Sequence, residues 1–257
     1  MSEQIDVVFP DLMGLTHGKT VPDYRLEYPT HYAITCMVQG LDLGFLEIAK
    51  YSTGAGFPDM EARVELDTVR PWRDGRKLAM GSLFFSNGDP LPLDSRRQLR
   101  LICDQFEALG YTPLAGFEME FFLLESRTPL VRLPVPDHRV YGIGAGADPT
   151  GTIEEIVSFA EYAQLQVEGM NSEFTPSQAE VSLHYQSALE AADCAVLFRE
   201  MSRIVARDRG IDVTYMARPF GDTVGNGLHA NISLAAKDGS NAFDEPGDEI
   251  GISDLAR

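Results

Sequence analysis

The sequence predicts an α+β fold in which helices pack on a largely antiparallel sheet. Residues 1–90 carry short apolar stretches broken by glycine and proline. Helical spacing begins only at Asp94, and beyond it strands and helices interleave without crisp βαβ units.

The elements follow in order. Ile5–Phe9 is apolar enough for a strand, Gly14 and Gly18 punctuate the turns after it, and Leu78–Phe85 is a β-like run closed by Asn87-Gly88-Asp89-Pro90. A domain boundary is expected near residue 90, separating 1–90 from 91–257. Asp94 or Ser95 caps a helix whose Leu99, Ile102, Phe106 and Leu109 recur at helical spacing, and Gly110 ends it. Gly116–Leu124 reads as a strand, followed by a Pro- and Gly-rich excursion over 127–151. A helix over 152–166 precedes strands near 167–174 and 178–184. A helix over 187–209, ended by Gly210, and strands near 212–216 and 228–235 complete the series.

The chain has 257 residues, 44% of them hydrophobic, which suffices for a packed core and excludes wholesale disorder. Its 39 acidic residues against 21 Lys and Arg give a net charge of −18. That excess argues against nucleic acid or an anionic membrane as partner, because phosphate binding needs clustered cations. The three cysteines, Cys36, Cys103 and Cys194, are far apart with no CxxC, so neither a disulfide framework nor a thiolate zinc site is expected. Residues 1–20 lack the basic start and apolar core of a signal peptide, and no run approaches the length of a membrane span. The expectation is a soluble, cytoplasmic protein.

Chemistry concentrates on three strands. In Gly116-Phe117-Glu118-Met119-Glu120-Phe121-Phe122, side-chain alternation sets Glu118 and Glu120 on one face and Phe117, Met119 and Phe121 on the other. Two carboxylates on one face repel unless they are solvated, as on an edge strand, or neutralised by a cation or proton. In the segment 173–184, Glu180, Ser182 and His184 share a face opposite Val181 and Leu183, and Glu173 precedes a proline turn that brings it toward Glu180. In 228–234, His229, Asn231 and Ser233 alternate with Leu228, Ala230, Ile232 and Leu234. If these strands share a sheet, one face is an oxygen-rich site with an imidazole. From Val140 to Phe198 there are nine acids and no Lys or Arg, so a bound cation is a reasonable counter-charge. Carboxylates with one histidine suit Mg²⁺ or Mn²⁺.

Other features read as structural. Gly142-Ile143-Gly144-Ala145-Gly146 lacks the Gly-x-Gly-x-x-Gly spacing and a preceding apolar strand, so it reads as a flexible loop. His17, His31 and His138 have no partners in sequence, and His184 is taken as structural despite sharing a face with Glu180. Cys103 and Cys194 read as small buried hydrophobes.

Taken in order, these segments resemble the glutamine synthetase family. Asp11–Pro22 is similar to its D-x-x-G-x-x-R-G-K-x-V-P segment, with His17 in place of arginine. Asp67-Thr68 and Pro71-Trp72 resemble the end of its small domain, and Gly116–Glu120 matches G-x-E-x-E. Glu173 with Gln178-Ala179-Glu180 matches E…P-G-Q-x-E, Ser177 replacing glycine. Thr214–Pro219 resembles T-F-M-x-K-P, and Gly227–Ser233 resembles the stretch around H-x-H-x-S.

The resemblance implies a small β-grasp-like N-terminal domain, then a catalytic domain with a curved, largely antiparallel sheet backed by helices. It implies a homo-oligomeric ring with active sites between subunits, and ATP-dependent ligation of ammonia or an amine to the γ-carboxylate of L-glutamate. By position, Glu120, Glu173 and Glu180 would hold one Mg²⁺ or Mn²⁺, and Glu118 and His229 the second, beside the ATP phosphates. Asn231 and Ser233 would contact ATP, and Gly225 would contact substrate.

Departures from the pattern qualify the substrate. Asn231 replaces the second histidine, Val224 stands where ammonia-using members have asparagine, and no Asp-Gly-Ser-Ser segment occurs around 51–56. Ammonia and a larger amine both remain open. The family continues past the position of Arg257, so the expectation from sequence is a truncated chain, inactive by itself, with one complete metal site and part of another. A non-catalytic assembly or regulatory relative is the alternative. A carboxylate metallohydrolase on another fold explains neither the N-terminal segment nor the order of the motifs.

Overall fold

The computed structural model describes residues 3–40, 42–48 and 50–257, and they form an α+β chain. It divides into two compact units, Met1–Ile102 and Cys103–Arg257.

The first unit is a mixed sheet. Its strands are β1 (Gln4–Pro10), β2 (Thr16–Pro22), β3 (Thr30–Ala33), β4 (Asp59–Val64), the short β5 (Arg70–Pro71) and β6 (Lys77–Phe85). The order is β2-β1-β6-β4-β3, with β5 also on β6 and the β1–β6 pair parallel. Phe9, Ile34, Met37, Val38, Met60, Ala62, Leu83 and Leu91 close its core. The β1–β2 turn is organised by buried Asp11, which accepts from the Met13 and Leu15 amides at 2.8 and 2.9 Å and pairs with His17 at 3.2 Å. His17, at the arginine position of the motif, thus hydrogen-bonds Asp11.

The division between units falls within α1 (Ser95–Ala108). Asp94 starts this helix by accepting from the Arg97 amide at 3.0 Å, while its other oxygen accepts from the Leu83 amide at 2.8 Å. One carboxylate therefore caps the helix and ties it to β6. The apolar residues that predict α1 are not its buried face: Ile102 and Leu109 are 50% and 73% exposed, and Arg96 is the residue buried. Polar anchors hold its first turns, with Arg100 clasping Glu65 through two bonds of 3.0 and 2.9 Å. Cys103 is accordingly half-buried, whereas Cys194 is buried as expected.

The second unit is built on one long strand, β7 (Tyr111–Arg127), with β8 (Leu130–Arg132) folding back on its end. Then come α2 (Thr152–Tyr162), β9 (Val167–Ser172), β10 (Gln178–Ser187), α3 (Ala188–Asp208), β11 (Asp212–Thr214) and β12 (Leu228–Ala236). β10 pairs along one edge of β7 and β12 along the other, because Met119 is opposite both Val181 and Leu228; every pairing is antiparallel. Met119, Phe121, Val181, Leu183 and Val213 turn inward with Leu197, Phe198 and Met201 of α3. The helices thus cover one face of the sheet, and the acidic residues occupy the other.

Helix ends obey local chemistry. α3 stops at Gly210, whose φ of +74° permits the Ile211 amide to reach the Ala206 carbonyl. α2 ends four residues before its expected limit, because Gln164 takes the same left-handed turn and Leu165 bonds back to Ala160. The glycine-rich segment before α2 is pinned rather than loose. The Gly142 amide donates to Ser172 Oγ at 2.8 Å and that hydroxyl donates to the Arg139 carbonyl, with Gly142 so close that a Cβ would lie 2.8 Å from the Arg139 oxygen.

Ser177, the glycine-replacing residue before β10, adopts φ +70° with its hydroxyl buried and without a partner among the described residues. A left-handed non-glycine residue costs about 1–2 kcal/mol, and a buried unpaired hydroxyl adds about 1 kcal/mol or more. Glycine's extra freedom in the unfolded chain returns about 0.5–1 kcal/mol. Ser177→Gly is therefore expected to stabilise the chain by about 1–2 kcal/mol, read as a raised urea midpoint with unchanged slope; an unchanged or lowered midpoint would contradict the strain.

Candidate metal and substrate site

Register creates the site. Across β10, β7 and β12, Ser182, Glu118 and His229 lie in one row, and Glu180 lies opposite Glu120 in the next. Side chains opposite one another in an antiparallel pair stand about 5 Å apart, so like charges there repel. Glu173 joins them from the turn before β10, its amide bonded to the Gln178 carbonyl at 2.9 Å.

Glu118, Glu120, Glu173, Glu180 and His229 line an open cleft of about 500 Å³ together with Tyr141, Phe174, Gln178, Val224 and Gly225. Among the described residues, the lining contains no lysine or arginine, and His229 is its one basic side chain. His229 Nδ1 donates to Glu118 Oε2 at 2.6 Å, and Asn231 Nδ2 donates to Glu118 Oε1 at 3.0 Å. The His229 bond holds the Glu118 carboxyl below the usual carboxylate range, and the same bond raises the His229 imidazole. Glu173 and Glu180 move the other way. Burial raises both, reinforced by Glu120 at Glu173 and by Glu173, Glu118 and Glu120 at Glu180.

The donor set suits a hard divalent cation. Among the described residues, Glu118, Glu180 and His229 each bring a ligand atom to within 4.8 Å of the others. Ligands of a six-coordinate Mg²⁺ stand about 2.9 Å apart when adjacent and about 4.2 Å when opposite, so the three groups would have to draw together to share one ion. A histidine whose other ring nitrogen bonds a carboxylate is a common metal ligand. The grouping differs from the one the family pattern implies: Glu180 gathers with Glu118 and His229, while Glu120 and Glu173 line the same cleft around them. His229 is the charge that attracts all of these carboxylates.

Of the remaining candidates, Gly225 lines the cleft, and a Cβ there would lie 2.2 Å from the Ala217 carbonyl oxygen. Ser233 lines a separate hollow with Leu114, Tyr185, Gly239 and Ser240. His184 lies 3.8 Å from Glu168 and against the Tyr185 ring, outside the group, in keeping with a structural role. Two positions emerge only in three dimensions. Gly227 is so close that a Cβ would stand 2.6 Å from Glu120 Oε1 and 3.0 Å from His229 Nε2. Gln178, 1% exposed, directs its amide to Glu120 Oε2 at 3.0 Å and to the Gly225 carbonyl at 2.9 Å. Its place in the Gln-x-Glu motif was the available signal, although alternation alone sets it on the same face as Glu180 without a partner.

Residues 92–257 match the family model described as glutamine synthetase, catalytic domain. The chain is 36% identical to a glutamine synthetase of Thermotoga maritima, over 97% of this chain and 56% of that protein. It is 28% identical to the gamma-glutamylethanolamide synthetase of Streptomyces coelicolor, over 99% of this chain and 58% of the relative. A crystal structure of a glutamine synthase homolog superposes with a TM-score of 0.85 at 24% identity, covering 99% of this chain and 60% of that one. The chain thus spans little more than half the length of these proteins.

The raised carboxylates set a pH dependence. A group whose pKa is higher folded than unfolded makes the protein more stable as pH falls through the raised value. Metal-free Glu180→Gln is therefore expected to melt above wild type at neutral pH, and the gap should close as pH falls toward the ordinary Glu value of about 4.3. The same substitution should remove most of the stabilisation by Mg²⁺. Thermal melts with and without Mg²⁺ across pH 5–8 check both signs, and a variant less stable than wild type at every pH would refute the repulsion.

Proposed function

The chain belongs to the glutamine synthetase family, and from that premise we propose that it serves ATP-dependent ligation of ammonia or an amine to the γ-carboxylate of L-glutamate through a γ-glutamyl phosphate. The observation that carries the reading is the set of four glutamates and one histidine in a single cleft, with Gly225 on its wall.

The chemistry accounts for this composition. A carboxylate is a poor electrophile, so phosphoryl transfer from ATP to its oxygen first creates a good leaving group, and the amine then displaces phosphate. A divalent cation supplies neutralisation of the phosphate charge that spreads during transfer. Glu120, Glu173 and Glu180 would hold one ion and Glu118 and His229 another, with hard oxygen donors favouring Mg²⁺ or Mn²⁺. Gln178 and Asn231 orient the carboxylates by donating to Glu120 and Glu118. Gly225 would lie against substrate, and Ser233, with Asn231 less directly, would face the nucleotide.

Among the described residues, the lining offers no lysine or arginine for two anionic substrates. Positive charge must therefore come from the ions and from groups beyond this lining, which fits a homo-oligomeric ring with sites shared between subunits. On the same ground, these 257 residues alone are expected to bind metal but turn over little. No helix among the described residues is long and apolar enough to cross a membrane.

The test is amide formation from labelled glutamate with ATP and Mg²⁺, using ammonia, methylamine, ethanolamine and polyamines on the assembled protein. Product with at least one amine, and ADP release dependent on glutamate, is expected. No product with any amine, in an assembly shown to bind Mg²⁺ and ATP, would overturn the ligase reading. Glu120→Ala should eliminate both the activity and the Mg²⁺-dependent stabilisation.

A further inference from the structure

Between β11 and β12 the chain forms a closed loop, Ala217–Asn226, whose ends meet where the Asn226 amide donates to the Ala217 carbonyl at 2.8 Å. Asn226 Nδ2 secures the same neck by donating to the Thr214 and Met216 carbonyls at 3.2 and 2.9 Å. The loop carries Val224 and Gly225 into the carboxylate cleft.

Gln178 joins this loop to the cluster. Its buried amide nitrogen has two hydrogens and three acceptors within reach: Glu120 Oε2 at 3.0 Å, the Gly225 carbonyl at 2.9 Å and Asn226 Oδ1 at 3.3 Å. Its own Oε1 is buried without a partner among the described residues, so the donors alone define the side chain's orientation. A second link runs beside it, from the Glu120 amide to the Gly227 carbonyl at 3.3 Å. Glu120 is thus tied to the neck of the loop through its side chain, by way of Gln178, and through its backbone, by way of Gly227.

We propose that Gln178 is a positioning residue that couples occupancy of the carboxylate cluster by a divalent cation to the conformation of the Ala217–Asn226 loop. This rests on the reading above that Glu120 is a ligand of the ion. The ion fixes Glu120, Glu120 fixes the Gln178 amide, and the amide holds Gly225 and Asn226 against the cleft wall. Coupling between binding events is reciprocal, so ordering of the loop by whatever binds at Gly225 also tightens the ion.

The experiment measures Mg²⁺ binding by calorimetry and loop amide exchange by mass spectrometry, with and without Mg²⁺, on wild type and Gln178→Met. In wild type, Mg²⁺ should slow exchange over residues 217–227 severalfold. Gln178→Met keeps the length of the side chain and loses both donors. It should weaken Mg²⁺ by about 10- to 100-fold, the usual effect of removing a partner that orients a metal ligand. At saturating Mg²⁺ its loop should exchange at the metal-free rate, a change that a purely structural role would not produce. Wild-type affinity together with wild-type loop protection in the variant would overturn the proposal. So would wild type that binds Mg²⁺ without any change in loop exchange, a result independent of whether the variant folds. Failure of wild type to bind Mg²⁺ at all would remove the metal reading itself, and the coupling with it.

Discussion

Mutual repulsion among carboxylates that the sheet register forces together is the constraint on which the second unit turns. Glu120 and Glu180 oppose each other across β7 and β10, Glu118 is one row away, and Glu173 is brought in by a turn. Side-chain alternation leaves no alternative, because a one-residue slip would carry Met119, Phe121 and Val181 out of the core. The apolar face, packed on α3, thus imposes a charged face that it does not itself benefit from. His229 compensates part of that charge, Gln178 and Asn231 donate to two of the carboxylates, and Glu173 and Glu180 are left with raised pKa values by burial and by their acidic neighbours.

Much of this was legible in the sequence because its period is two. Glu118, Glu120 and Glu180 declare their common face by alternation with buried neighbours, while His229 and Asn231 alternate with Leu228, Ala230 and Ile232, which are apolar but exposed. The family resemblance supplied what alternation could not, namely that these strands share one sheet. The role of Gln178 was less visible, because its partners Gly225 and Asn226 lie 47 and 48 residues away and meet it only through the path of a loop. Gly227 was hidden for a similar reason, since the need for a missing side chain is set by what stands opposite.

Helix α1 shows a different limit. Its apolar spacing identified a helix correctly, yet Ile102 and Leu109 stay exposed while Asp94, Arg96 and Arg100 anchor its start. Periodicity reports that an apolar stripe exists and says nothing about what covers it. The pinned glycine segment at 142–146 teaches the converse, for glycine there serves close backbone approach to Ser172 and Arg139 rather than freedom of movement.

The closed loop between β11 and β12 has consequences for how such a site can diversify. Its neck is committed through Asn226 and Ala217, and Phe220 is seated against Phe122 with Asp222 reaching Arg132. Val224 stands apart from these anchors, half exposed and facing the cleft. Evolution or a mutagenesis library can therefore exchange that one side chain while the carboxylates and the neck stay in place. A change at that codon would reshape the cleft wall while leaving the four glutamates, His229 and the anchors of the loop as they are.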